Sequence, residues 1–129
     1  MNDVGRKDAE GFTILLFNNS LFAGHYLLFR GHEDKLYNSC VQAHYDKTTK
    51  VFLGGVATQT PFVTAIINDD AILEIAAKAR VVFEDGAEVN EVVSERGLVF
   101  IHPGIVDKPM NYLSFTIFDN KGKSIYEKP

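Results

Sequence analysis

Four histidines (His25, His32, His44 and His102) and one cysteine, Cys40, are the residues best suited to metal or nucleophile chemistry in this chain of 129 residues. Their spacing argues against both. No two histidines form His-x-His or His-x-x-x-His. A metal site of jelly-roll (cupin-like) type would have to gather His25, His44 and His102 from separate strands, together with a carboxylate. A thiol nucleophile needs a base within about 3 Å. Cys40 and His44 share one extended run, where four residues of strand separate the Cα atoms by roughly 13 Å. They form no dyad. Cys40 reads as an ordinary thiol on a polar face shared with Asn38, Gln42 and His44.

The densest polar group is Arg30-Gly31-His32-Glu33-Asp34. It falls between two strand-like runs, so its plain role is a solvated hairpin loop. Its functional role would be an anion or metal contact made from a loop on rigid strands, with Arg30, His32, Glu33 and Asp34 as the ligand-binding candidates. The acidic residues Asp69, Asp70, Glu84, Asp85, Glu88, Glu91 and Glu95 lack the alternating ligand spacing of a calcium loop. They read as a solvated face. Gly54-Gly55 has no following Lys, and no Gly-x-Ser-x-Gly elbow occurs. No catalytic set, metal ligand set or cofactor is expected.

The totals narrow the classes further. Net charge is -4 and the 13 Lys and Arg are scattered, so the basic stripe that a nucleic-acid binder needs is missing. A single cysteine excludes an intrachain disulfide and suits a reducing interior. Met1 to Glu10 is polar, unlike a secretory signal. The longest apolar runs, Ile14–Phe17 and Leu98–Ile101, have four residues each, against about twenty for a membrane-spanning helix. The expectation is a cytoplasmic protein with no membrane span and no nucleic-acid partner.

The elements that must position these residues are short and β-rich. Residues 1–10 read as a flexible N-terminal arm, and 11–129 as one domain. Strand-like runs cover Phe12–Phe17, His25–Arg30, Leu36–Tyr45, Val51–Leu53, Phe62–Ile67, Val81–Phe83, Val89–Val93, Leu98–Ile101, Tyr112–Phe118 and Ser124–Tyr126. Turn residues separate them. Asp85-Gly86 signals a two-residue hairpin, and Asp119-Asn120-Lys121-Gly122 a type I turn with Gly122 left-handed. The spacing predicts a mainly β fold: an antiparallel sandwich or a jelly-roll-like small barrel. Residues 70–80 fit a short helix capped by Asp69 or Asp70. They also fit a strand, because the alternation runs unbroken from Leu73 to Phe83, which favours strand.

The informative anomaly is strands that are apolar on both faces. Phe12, Ile14 and Leu16 form one row, but Leu15 and Phe17 lie opposite. Leu98 and Phe100 oppose Val99 and Ile101. A two-layer sandwich has one interior, so loops, a helix, a ligand or another subunit must cover the second faces. Large exposed apolar patches are rare on monomers. The expected function is therefore a non-enzymatic assembly or binding protein, a homo-oligomer that self-associates through Leu15, Phe17, Val99 and Ile101. The alternative is a small-molecule-binding or metal-dependent jelly-roll enzyme.

Overall fold

The computed structural model describes residues 2–9, 11–19, 21–30, 36–45 and 48–128. The chain is mostly strand, with one short helix and three antiparallel sheets, none closed into a barrel. The expected sandwich is present, but with an extra layer.

Strands β1 (Asn2–Ala9), β2 (Phe12–Asn18), β3 (Phe22–Arg30) and β4 (Leu36–His44) form a meander in chain order. The next two strands are β5 (Val51–Val56) and β6 (Phe62–Ile67). Helix α1 (Asp70–Ile75), β7 (Lys78–Phe83), β8 (Glu88–Val92) and β9 (Gly97–Ile101) follow, then β10 (Tyr112–Phe118) and β11 (Ser124–Lys128). The second sheet runs β5-β6-β9 and the third β11-β10-β7-β8. The chain passes back and forth between these two sheets, with β9 returning to β6 after β7 and β8 have joined the third sheet.

For β6 and β9, apolar residues on both faces are explained by a position in the middle layer. On β6, Val63, Ala65 and Ile67 join Phe100 and Leu98 in an interior shared with Ala79, Val81, Phe83, Phe115 and Ile117 of the third sheet. The other face carries Phe62 and Val99, which pack on Ile14 and Leu16 of the meander. A third cluster, of Ala23, Tyr45 and Ile66, continues that second interior. The cover is thus the chain's own meander rather than a loop, a helix or a foreign surface. At about 1.5–3 kcal/mol for each buried Phe, Leu, Ile or Val, the second interior is a large part of the fold's stability.

Several local expectations change. Residues 2–9, expected as a flexible arm, form β1. Its charges are compatible with a strand because Lys7 reaches the Glu91 carboxylate of β8, while Arg6 and Asp8 pair in solvent. Residues 70–80 divide between both readings. The Asp69 carboxylate accepts from the Ile72 N–H at 3.0 Å and starts α1. The helix stops at Ile75, and the alternation is real only from Ala79 to Phe83. The Asp85-Gly86 hairpin has a longer loop than expected. The Gly86 N–H donates to the Phe83 carbonyl, and the Phe83 N–H to that of Ala87. The C-terminal turn is as expected, with Gly122 at φ +82° and its N–H on the Asp119 carbonyl. Leu113 is exposed, although it alternates in one row with the buried Phe115 and Ile117. The register slips between Tyr112 and Ser114 and turns Leu113 outward. Val41 and Ala43 are exposed although they alternate with the polar row of Cys40 and Gln42, because β4 is the meander's last strand. Among the described residues no helix is long and apolar enough to cross a membrane.

Candidate functional site

The second interior is not sealed at one end. Where β2 begins and β3 ends, the meander parts from the β5–β6 connection and leaves a groove of about 340 Å³. Its floor is apolar: Phe12, Leu27, Val56 and Phe62, with Phe29 as a wall. Phe12, Leu27 and Val56 are partly buried residues packed against the cluster of Ile14, Leu16, Phe62 and Val99. The rim is the connection itself, Thr58-Gln59-Thr60. No charged side chain lines the groove among the described residues.

The rim is held in a costly backbone shape. Gln59 has φ 61°, and among the described residues it is the one non-glycine with positive φ. Such strain persists only where neighbouring structure imposes it. Here the carbonyls of alternate residues are each fixed by a backbone N–H from the segment after β9. His102 donates to Pro61 at 2.8 Å, Val106 to Gln59 at 2.8 Å and Met110 to Ala57 at 2.7 Å. Gln59 and Val106 form a β-bridge. Polar residues therefore border an apolar floor on a backbone fixed at three carbonyls. That combination of apolar lining and a few placed polar groups is typical of small-ligand sites, as is the volume.

The residues singled out from the sequence fall elsewhere. Arg30 closes β3, directly after the groove wall Phe29. His32, Glu33 and Asp34 lie outside the described residues. Of the four interface candidates, Phe17 is 2% exposed and Val99 3% exposed, both within this single chain. Phe17 packs against the Tyr26 ring at 5.0 Å between centroids. Leu15 and Ile101 are half-buried.

Three of the histidines go to three separate places. His25 is 2% exposed and edge-on to Phe62, and burial pulls its pKa down. His44 meets Phe22 at the end of the meander. His102 stands against Phe83. Its Nε2 lies 2.8 Å from an Asp85 carboxylate oxygen, and its Nδ1 lies 2.9 Å from the Gly104 carbonyl and 3.0 Å from the Gly104 N–H. Burial lowers the His102 pKa, but the Gly104 carbonyl and the Asp85 carboxylate outweigh it and hold the ring above its usual value. With both nitrogens engaged, His102 works as a clamp between hairpin and loop. Among the described residues, no group of three or more His, Cys, Asp or Glu is placed to hold a metal ion.

The groove was missed because its polar residues carry no chemical signature. Thr58, Gln59 and Thr60 read as a plain connection before Pro61. The only available signal was a polar run between two apolar strands. Family models, characterised proteins and solved structures were compared with this chain, and none matches it.

Proposed function

We propose that the chain is a non-catalytic binding module whose groove takes an apolar ring or branched alkyl group carrying a neutral hydrogen-bonding head. The observation that supports this reading most is the strained Gln59 at the rim, fixed by Val106 above the floor of Phe12, Leu27, Val56 and Phe62. The apolar floor gains from burial. The rim offers one amide and two hydroxyls, which suit a neutral head. A charged head would lose its hydration with no opposite charge to replace it.

Benzamide and benzoate test this directly. In a nitrogen-labelled sample, benzamide should shift the backbone amides of Leu27, Val56, Gln59 and Thr60. Benzoate should shift them less at the same concentration. Shifts confined to other surfaces, or none at saturating benzamide, would remove the reading.

A further inference from the structure

Strand β4 is bonded on one side only. It pairs with β3 along its whole length, Arg30 opposite Leu36 through Phe22 opposite His44. On its other side, no described strand pairs with it. An open strand edge presents a row of backbone donors and acceptors that another strand satisfies. From Asn38 to His44 every residue is exposed, those of both faces included, and Val41 is 49% exposed.

The remaining sheet edges are guarded and β4 is not. Strand β1 carries Asp3, Arg6, Lys7 and Asp8; β8 carries Glu88 and Glu91; β11 carries Glu127 and Lys128. Strand β9 lies under β1, with Gly5 and Gly97 in backbone contact. Strand β5 is interrupted by Gly54-Gly55, with Gly55 at φ +139°, and it sits between clefts walled by Val41–Ala43 on one face and Met110–Tyr112 on the other. By contrast, Leu36–His44 reads Leu-Tyr-Asn-Ser-Cys-Val-Gln-Ala-His. It holds no Asp, Glu, Lys, Arg, Pro or Gly across nine residues, or roughly 30 Å of strand. The sequence of β4 thus holds none of the charges, prolines or glycines that keep an edge from pairing, although its Val41–Ala43 stretch shares a cleft with Phe52–Gly55 of β5.

We propose that β4 pairs antiparallel with β4 of a second copy of this chain, about a two-fold axis at Cys40. A two-fold interface uses one surface twice, and an antiparallel edge is self-complementary in that sense. Only one register pairs the whole strand with its copy. It sets Leu36 opposite His44, Asn38 opposite Gln42, Ser39 opposite Val41, and Cys40 opposite Cys40. The Asn38–Gln42 pairs place amide against amide, where cross-strand hydrogen bonds add to the ladder. The strand brings no carboxylate or Lys/Arg charge to the seam, so the net charge of -4 on each copy stays away from it. The two meanders then form one continuous eight-stranded sheet. This dimer leaves the groove of each copy as it is and does not depend on it.

Charge placed in the seam tests the register. The unmodified chain should sediment at twice 14.4 kDa. S39K/V41K sets Lys opposite Lys across the axis and should sediment as a folded monomer. S39K/V41E sets Lys opposite Glu and should restore the dimer. Circular dichroism of each variant establishes that it folds. An independent readout needs no substitution. Directly opposed strand residues have Cα atoms about 4.5–5.5 Å apart, within disulfide reach. Mild oxidation of the dimer, two Cys40 thiols giving two electrons to the oxidant, should yield a covalent dimer. A monomeric unmodified chain at the highest attainable concentration overturns the proposal. A dimer that survives S39K/V41K, or that resists oxidation at Cys40, overturns it as well, by placing the interface elsewhere.

Discussion

Gly5 of β1 and Gly97 of β9 meet backbone to backbone. A Cβ on Gly5 would lie 2.7 Å from the Gly97 carbonyl oxygen, and a Cβ on Gly97 would lie 2.4 Å from that of Val4. Both obstacles are main chain, which cannot swing aside. This contact lets the meander close onto the middle sheet and bury Ile14, Leu16, Phe62 and Val99 between them.

Gly97→Ala should therefore separate the layers by a fraction of an ångström and destabilise the fold by about 1–3 kcal/mol, the usual cost of overpacking. Urea unfolding followed by circular dichroism measures this. A midpoint equal to that of the unmodified chain would show that β1 and β9 do not touch at this point.

Much of the fold was legible because its signals are local. Gly122 after Asp119-Asn120-Lys121 announced its turn, and Val81-Val82-Phe83 before Asp85-Gly86 announced its hairpin. The two-faced character of Leu98–Ile101 was visible too. Its cause was not, because the meander that covers them is held by contacts between distant residues, Gly5 with Gly97 and Lys7 with Glu91. The change from helix to strand at Ala76 was hidden by an alternation that continued across it. The groove depends on a backbone angle at Gln59 that the residue type does not announce.

Gln59 supplies a second prediction. A side chain at positive φ costs about 1–2 kcal/mol, and a β-branched one costs more. Gln59→Gly should keep or raise the melting temperature, while Gln59→Val should lower stability by about 1–2 kcal/mol. Both remove the amide from the rim, so both should weaken the benzamide-induced shifts at Leu27 and Val56. Equal melting temperatures for the Gly and Val variants would contradict the backbone shape described.

The C-terminal hairpin gives a third. Gly122 stands at φ +82° with open space where a Cβ would lie. Conformation alone, rather than crowding, penalises a side chain there. Gly122→Val should cost about 1–2 kcal/mol, and Gly122→Asn, which tolerates the left-handed region, distinctly less. If thermal unfolding shows the two variants alike, the type I turn with a left-handed fourth residue is wrong.

The pH dependence of stability should carry the opposed signatures of two histidines. His102 has a raised pKa in the folded chain, because Asp85 and the Gly104 carbonyl outweigh burial. Its contribution is full below the unfolded value, about 6.5, and is lost as pH rises through the folded value. The loss is partial, because the neutral ring still donates from Nε2 to Asp85 and accepts the Gly104 N–H at Nδ1. His25 has a lowered pKa through burial. Its contribution is full above about 6.5 and is lost as pH falls through the folded value. The two groups together place a stability maximum near the unfolded histidine pKa. Removing one should leave the slope of the other. His102→Gln should give stability that rises with pH up to about 6.5 and is level above it, and His25→Gln stability that is level up to about 6.5 and falls above it. Unfolding free energies from urea titrations at several pH values measure both slopes. The same slope in both variants would mean that neither ring titrates as its surroundings dictate.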